Sequence, residues 1–245
     1  MEVEKITPYG SQESKTGQVS RMFDNIAPAY DFMDRAMTLG LDIRWRKKAA
    51  QIVARHAPKS ILDVATGTGD LAIALAHTVE SASSITGIDL SEGMLEVAMR
   101  KSKDAGLEDK ITFLRGDCMQ LPMADSTFGT VTAAFGVRNF EHLELGLAEM
   151  QRVLAPGGLL CIMELSTPTN PVVKPFYHFY TRVVIPIAGK IVSRDRRAYT
   201  YLPESIAAMP QGDEMLQILR SVGFVECRCR RFTFGVCSLY TAIKP

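Results

Sequence analysis

The stretch ILDVATGTGDLAIALA, residues 61–76, decides the fold of this chain. A short apolar run ends in Asp63, a turn of glycine and threonine follows, and helix-forming residues begin at Asp70. A strand, a glycine turn and a helix in this order are typical of the first unit of a doubly wound α/β sheet. Glycine turns at this position usually bind phosphate, so the two flanking acids require an explanation.

Short apolar runs alternate with amphipathic segments over most of the chain. The predicted strands are SILDV, SITGIDL, ITFLRG, TVTAAF and LLCIMEL, and the predicted helices are DLAIALAHTV, EGMLEVAMRKSKDAG and LELGLAEMQRVL. Two later runs, FVECRCRRFTF and SLYTAI, could close the sheet. Alternating strands and helices imply parallel strands with right-handed crossovers. We therefore predict a Rossmann-like α/β fold, with a mostly parallel seven-stranded sheet and helices on both faces.

Several helix boundaries follow from local chemistry. Ser91 is expected to cap the helix that begins near Glu92, because its hydroxyl can accept a bond from a free N–H group. Gly157 and Gly158 are expected to end the helix before the fifth strand. Further helices are predicted at residues 45–56 and 213–222 from their apolar spacing.

Composition limits the class of protein. The 245 residues are 47% hydrophobic and carry a net charge of +1, which gives no overall attraction to nucleic acid. No stretch is apolar enough for a membrane span or a signal peptide. The five cysteines form no CxxC pair and favour a reducing, cytoplasmic setting, and the four histidines lack the spacing of metal ligands.

Two ligand classes fit the glycine turn. GTGDLA matches a dinucleotide fingerprint, and Asp89 lies 20 residues after Gly69, where it could accept both hydroxyl groups of a ribose. A pyrophosphate, however, prefers positive potential, which Asp63 and Asp70 both oppose. S-adenosylmethionine has no phosphate and carries an ammonium and a sulfonium group, so the acids favour it. An NAD-dependent oxidoreductase remains open on the fingerprint alone.

A third acidic loop follows the third predicted strand, in RGDCMQLP (residues 115–122). Asp117 could accept a hydrogen bond from an adenine amino group, and Cys118 and Met119 could cover the ring. The acidic loops follow consecutive parallel strands, so we expect them to line one crevice at the carboxyl edge of the sheet.

With these motifs the sequence resembles the class I S-adenosylmethionine methyltransferases, whose first motif is similar to DVATGTGD. Within that class, three segments resemble signatures of the UbiE/MenG quinone C-methyltransferases: YDFMDRAMTLGLDIRW (residues 30–45), FGVRN (135–139) and RVLAPGGLLCIMELS (152–166). The first signature usually has Asn, Ser and His where this chain has Asp34, Thr38 and Asp42, and the third usually has Lys at Ala155.

The resemblance implies C-methylation of a prenylated quinol, with S-adenosylmethionine as cofactor, in menaquinone biosynthesis. The predicted cofactor-binding residues are Asp63, Gly67, Thr68, Gly69, Asp89, Asp117, Cys118 and Ala134, the last through its backbone.

A ring carbon becomes nucleophilic once a ring hydroxyl loses its proton. Four residues are the candidates for the methyl-transfer step. Arg138 would stabilise the phenolate or order a water that removes the proton, and Asn139 would donate a bond to the ring oxygen. Tyr30 and Asp31 would close the pocket, and Asp31 could take the proton if burial raises its pKa.

We predict one structural domain in two parts: an N-terminal helical segment (residues 1–58) that closes over the substrate site, and a cofactor-binding core (59–245). An aromatic and apolar insertion at about 168–210 is expected to bind the isoprenoid tail. Arginines at positions 194, 196 and 197 could contact anionic lipid at the inner face of the membrane. The sequence also allows a homodimer.

Other functions remain open at this level. The ring could be a benzoquinol ubiquinone precursor or the substrate another lipophilic small molecule, such as a sterol or phospholipid. A non-catalytic cofactor-binding scaffold is a further alternative. Nucleic-acid methylation is disfavoured, because the chain lacks an Asn-Pro-Pro-Tyr-type motif after strand four and has no excess of basic residues.

Overall fold

The computed structural model describes residues 1–181 and 196–245, and within them one sheet of seven strands organises the chain. The strands are β1 (Ser60–Val64), β2 (Ser84–Asp89), β3 (Ile111–Arg115), β4 (Phe128–Ala134), β5 (Leu154–Leu165), β6 (Val225–Phe232) and β7 (Cys237–Ile243). Their order is β3-β2-β1-β4-β5-β7-β6, and β7 runs antiparallel to the other six strands. The predicted mostly parallel, seven-stranded sheet is confirmed.

Helices cover both faces of the sheet. In the described ranges they are α1 (Glu2–Lys5), α2 (Lys15–Ile26), α3 (Tyr30–Thr38), α4 (Leu41–His56), α5 (Asp70–Thr78), α6 (Glu92–Asp104), α7 (Leu143–Val153), α8 (Val173–Phe179), α9 (Arg196–Ala208) and α10 (Asp213–Ser221). Successive side chains of a strand point to opposite faces. Accordingly, Ile61 of β1 packs in one apolar cluster with Leu75 of α5, and Leu62 packs in the other with Met150 of α7.

The strand order reverses at β1, which lies between β2 and β4. In open α/β sheets the loops on either side of such a reversal diverge and leave a crevice at the carboxyl ends of the strands. The loops that follow β1, β2, β3 and β4 therefore meet at one edge, where the sequence places its acidic and glycine-rich motifs.

The local predictions have mixed outcomes. Ser91 caps α6 as expected, since its Oγ accepts a bond from the Met94 N–H at 3.1 Å. The prediction that Gly157 and Gly158 end a helix was wrong, because α7 ends at Val153 and both glycines lie inside β5. Phe128 of β4 pairs with Leu154 of β5 and Thr130 pairs with Leu159, so β5 advances five residues where β4 advances two. The glycines therefore lie in a bulge of the strand and do not form a helix cap.

The N-terminal helices pack across the carboxyl edge of the sheet. Asp24 of α2 accepts bonds from Ser91 Oγ (2.6 Å) and from the Gly93 N–H (3.0 Å) at the start of α6. Lys15 Nζ, on the same helix, donates to the Val3 carbonyl at 2.6 Å and to the Arg138 carbonyl at 3.1 Å. These contacts tie the segment before β1 to the loops after β2 and β4. The division of the chain at residue 58 stays a prediction.

Candidate functional site

The glycine loop between β1 and α5 is shaped for close approach by a ligand. Gly67 has a φ of +56°, and a Cβ built on it would meet no atom within 4 Å, so the space beside it is open. Its N–H donates to Asp89 Oδ2 at 2.8 Å, which joins the loop to the end of β2. Gly69 is the N-cap of α5 with a φ of +78°, and a Cβ built on it would lie only 3.1 Å from Ala98 and Phe113. Gly67 therefore faces the cleft, whereas Gly69 supports the turn from behind.

The two acids that bracket the loop differ in their environment. Asp63 is buried in β1 and accepts bonds from Thr132 Oγ1 (2.6 Å) and Thr66 Oγ1 (2.7 Å). Burial raises the pKa of Asp63 to about 6 despite these donors. Burial also raises the pKa of Asp70, but Arg46 and Lys101 outweigh it and hold that pKa below its usual value.

Asp70 is therefore already paired with protein cations: Lys101 contacts its Oδ1, and Arg46 Nη1 lies 3.6 Å from its Oδ2. The expectation that both bracketing acids favour a cationic ligand stays a prediction, and these pairings limit the part that Asp70 can take in it. Asp89 is half-buried, and its partial removal from water raises its pKa, while the Ser91 and Gly67 N–H groups donate to its oxygens and partly offset that rise.

The loop after β3 supplies the third acidic position. Asp117 Oδ1 accepts a bond from the Met119 N–H at 2.9 Å, which fixes the carboxylate in the loop. Cys118 is buried beside it, and burial together with Asp117 raises the pKa of the thiol. The thiol therefore stays protonated and serves as an apolar wall of the cleft.

These loops enclose a cleft of about 920 Å³, measured with its open mouth. Nine of the predicted residues line it: Tyr30, Asp63, Gly67, Thr68, Asp89, Asp117, Cys118, Ala134 and Asn139. Its opposite wall comes from α2, through Thr16, Val19, Ser20 and Phe23. The cleft thus combines acids at strand ends with apolar side chains of the N-terminal segment.

A second, larger cavity of about 1360 Å³ adjoins the first. The two cavities share Phe23, Tyr30 and Phe135, so these three aromatic side chains stand between them. The second cavity is mostly apolar, with walls from α2, α3, α8 and α9 that include Met22, Ile26, Met33, Met37, Val173 and Leu202.

Arg138 faces the second cavity instead of the first, and it is paired with an acid that the sequence analysis did not single out. Its Nη1 donates to Glu164 Oε1 at 2.7 Å and also to the Phe135 carbonyl. Burial alone would lower the pKa of Arg138, but Glu164 outweighs it and raises that pKa above the usual value. Arg138 Nε is buried and has no hydrogen-bond partner among the described residues.

Asn139 lies beside it, in a short 3-10 helix at residues 137–139. It lines the first cleft, and its Oδ1 accepts a bond from Tyr201 Oη at 3.0 Å. Adjacent residues of the FGVRN motif therefore face different cavities, because a 3-10 turn rotates successive side chains by about a third of a turn.

Tyr30 and Asp31 both begin α3 but have different surroundings. Burial raises the pKa of Tyr30 well above its ordinary value, so its hydroxyl remains protonated. Asp31 Oδ1 accepts a bond from Thr68 Oγ1 at 2.5 Å, and its Oδ2 lies 2.6 Å from Lys101 Nζ. Asp31 thus links the N-terminal segment to the glycine loop.

The sequence analysis did not single out four residues of the site. Arg46, Lys101 and Tyr201 lie within helices, and an ordinary amphipathic pattern accounts for each of them. Glu164 could have been found, because an acid near the end of the buried β5 strand needs a partner.

Within the described ranges, no three His, Cys, Asp or Glu side chains are grouped to hold a metal ion. No helix there has both the length and the apolar character that a membrane span requires.

Solved structures share this fold at low sequence identity. A SAM-dependent methyltransferase from Aquifex aeolicus superposes with a TM-score of 0.56 at 20% identity, over 76% of this chain and 82% of that one. A putative S-adenosyl-L-methionine-dependent methyltransferase from Methanococcus maripaludis gives a TM-score of 0.60 at 20% identity, over 88% and 91% of the two chains. These similarities support the predicted class I methyltransferase fold.

Sequence comparison gives closer relatives. The chain is 49% identical to a demethylmenaquinone methyltransferase of Bacteroides fragilis, over 98% of each chain. It is 41% identical to the protein of the same name in Deinococcus radiodurans, over 100% of each, and 40% identical to a ubiquinone/menaquinone biosynthesis C-methyltransferase UbiE of Geobacter sulfurreducens, over 98% and 93%. The model of the ubiE/COQ5 methyltransferase family matches residues 11–244. The chain therefore belongs to the ubiE/COQ5 methyltransferase family.

Proposed function

We propose that this protein transfers a methyl group from S-adenosylmethionine to a ring carbon of a prenylated quinol and converts demethylmenaquinol to menaquinol. The observation that carries the proposal is the pair of adjoining cavities, one with acids at strand ends and one mostly apolar, separated by Phe23, Tyr30 and Phe135. A polar cofactor and a substrate with a hydrocarbon tail require such a pair. The relatives named demethylmenaquinone methyltransferase support the choice of ring.

The residues of the first cleft fit S-adenosylmethionine. Asp89 would accept the ribose hydroxyl groups, and Asp117 with Cys118 would hold the adenine. Gly67, with open space beside it, would allow the cofactor to approach the loop, while Asp63 would face its cationic groups. Thr68 and the backbone of Ala134 complete the predicted contacts, and Gly69 shapes the loop. When bound, the cofactor supplies a methyl group on a sulfonium cation.

Arg138 is the residue we propose to stabilise the substrate's charge. Quinol attack requires loss of a ring hydroxyl proton, and the negative charge that follows needs a fixed cation in a site that excludes water. Glu164 fixes the guanidinium, and the unpartnered Nε remains as a buried donor at the wall of the substrate cavity. Because Arg138 stays protonated, it would order the phenolate or a water that removes the proton and would not act as the base.

Asn139 would donate to the ring oxygen from the cofactor side. The ring carbon next to the phenolate then forms the new carbon–carbon bond while the bond from sulfur to methyl breaks. Loss of the proton on that ring carbon restores the aromatic ring. Both protons leave as solvent protons, so the residues need only hold and orient the ring.

Tyr30 and Asp31 would close the pocket. Both oxygens of Asp31 already accept bonds, from Thr68 and Lys101, which supports a closing role over that of proton acceptor. Tyr30 lies between the cavities with a protonated hydroxyl, so it can donate a bond to the substrate but cannot act as the base.

The second cavity would hold the isoprenoid tail. Helices α8 and α9 of the predicted insertion contribute part of its wall, and residues 182–195 of the insertion lie outside the described residues. Leu39 and Phe176 line the cavity and are largely exposed, and Val172 and Phe179 are exposed nearby on α8 or just before it. Exposed apolar side chains beside an apolar cavity support entry of the tail from a lipid surface.

We therefore propose a cytoplasmic protein with a peripheral contact at the inner face of the membrane. Arg197 is exposed on α9 and could contact anionic lipid, whereas Arg194 and the side chain of Arg196 lie outside what the structure describes. Sedimentation with anionic vesicles, which the substitution Phe176→Ser should weaken, tests this contact. The homodimer stays a prediction. Measuring the molar mass of the protein in solution tests it.

The second candidate substrate is a benzoquinol precursor of ubiquinone. The UbiE relative of Geobacter sulfurreducens is named for both pathways, which favours this candidate over sterols or phospholipids. Because the chain belongs to the ubiE/COQ5 methyltransferase family, we assign the glycine fingerprint to S-adenosylmethionine and not to NAD.

The decisive experiment is transfer of labelled methyl from S-adenosylmethionine to reduced demethylmenaquinone and, in parallel, to a reduced demethylated ubiquinone precursor. We expect transfer to the naphthoquinol that collapses in Arg138→Ala while cofactor affinity persists. Arg55→Ala, which changes an exposed arginine at the end of α4, is the matched control. Tight cofactor binding without transfer to either quinol would contradict the proposal and favour a non-catalytic scaffold.

A further inference from the structure

The amide of Asn139 is held by a tyrosine from the far side of the second cavity. Tyr201, on α9, donates from Oη to Asn139 Oδ1 at 3.0 Å, and both side chains are almost fully buried. Asn139 lines the cofactor cleft and Tyr201 lines the apolar cavity. The hydrogen bond therefore crosses the wall between the two proposed ligands.

This bond determines which end of the amide faces the ring. An asparagine side chain has one acceptor oxygen and one NH₂ group, and its terminal torsion allows both to exchange places. With Oδ1 engaged by Tyr201, the Nδ2 hydrogens remain to donate elsewhere. If the amide turned over, its oxygen would face a developing phenolate and repel it.

Tyr201 is suited to this role because it can only donate to an acceptor such as Oδ1. Burial raises the pKa of Tyr201 above its ordinary value, so the hydroxyl keeps its proton although Arg138 lies nearby. Its proton is already shared with Asn139. Tyr201 is thus neither a base nor a free donor, and its hydroxyl acts through Asn139.

We propose that Tyr201 is a positioning residue for methyl transfer, whose hydroxyl holds Asn139 with its N–H donors toward the quinol oxygen. The inference rests on the proposed function, in which Asn139 binds that oxygen. It gives α9, assigned so far to the tail alone, a part in the chemistry of the ring.

The test is Tyr201→Phe, which removes one oxygen and keeps the ring that fills the cavity. We expect kcat to fall about tenfold, as for loss of one orienting bond in a transition state, with the Kd of S-adenosylmethionine unchanged. In an Asn139→Ala background the same substitution should have no further effect on kcat, since the amide that it orients is gone.

Tyr240→Phe is the matched control. It removes another buried tyrosine hydroxyl, which accepts the Gly212 N–H at 2.9 Å and lines neither cavity. We expect both single variants to lower Tm to a similar extent, and only Tyr201→Phe to lower kcat. A merely structural role for Tyr201 would give equal effects on Tm and none on kcat.

Unchanged kcat in Tyr201→Phe, or a further loss of kcat in the Asn139→Ala background, would overturn the inference. Failure of the wild type to methylate any quinol would instead reject the proposed function, and the inference with it.

Discussion

Arg46 holds together a buried charge network beneath the site. Its Nη2 donates to Asp34 Oδ2 at 2.7 Å, and its Nη1 is paired with Asp42. Thr38 Oγ1 completes the network by donating to Asp42 Oδ1 at 2.6 Å. Positions 34, 38 and 42 are the three at which the first signature differs from its family pattern, so the three differences meet around one guanidinium.

The substitution Arg46→Met should destabilise the fold severely. It leaves Asp34 and Asp42, which are 8% and 0% exposed, without their cation. Removing one partner of a buried ion pair costs about 3–5 kcal/mol, a large part of the roughly 5–15 kcal/mol that stabilises a domain.

The loss should depend on pH in a defined direction. Burial already raises the pKa of Asp34 in the native protein, while Arg46 partly offsets the rise. Without Arg46 that offset is lost, so the pKa of Asp34 should lie further above its unfolded-state value. The penalty is then fully present above the folded-state pKa of Asp34 and disappears as pH falls toward the unfolded-state pKa. The deficit relative to wild type should therefore shrink as pH falls.

Urea denaturation at several pH values measures the free energy of unfolding of Arg46→Met and of the wild type. The control is Arg44→Met: Arg44 is exposed on the same helix, so this substitution should change the free energy of unfolding by less than about 0.5 kcal/mol. Adding Asp34→Asn and Asp42→Asn to Arg46→Met should recover most of the loss. A loss below about 1 kcal/mol in Arg46→Met, or one independent of pH, would refute the view that two buried charges depend on Arg46.

Three further outcomes follow from the site. Asp89→Ala should weaken S-adenosylmethionine binding at least about tenfold in calorimetry, because a half-buried, charged acceptor for the ribose is lost. Cofactor affinity should fall as pH drops below about 6, since a cationic ligand prefers ionised Asp63, and Asp63→Asn should abolish that dependence. Lys101→Met should raise the Kd of the cofactor several-fold by removing one of the two contacts that hold Asp31 at the glycine loop, and Lys103→Met, at an exposed position on the same helix, should not. Equal effects of the two substitutions would exclude the link.

Much of the fold of this protein can be predicted from local sequence. Strand and helix order follows from apolar periodicity, because each element must bury one face or stripe whatever its partner is. That Gly67, Asp89 and Asp117 line one cleft was predictable because each lies at or just after the end of a strand, and parallel strands bring their carboxyl ends to one edge. The bulge at Gly157 was missed, because a glycine after a helical pattern fits a helix end and a strand bulge equally well locally.

Only the tertiary structure decided how the polar groups are paired. Arg138 meets Glu164 across 26 residues, Tyr201 meets Asn139 across 62, and Lys101 meets Asp31 across 70. No local pattern encodes such pairs, since a buried charge requires a partner but its sequence does not say which element supplies it. The sequence by itself therefore determined the sheet, the cofactor loops and the family, whereas the packing of α3, α6 and α9 decided which side chains orient the site.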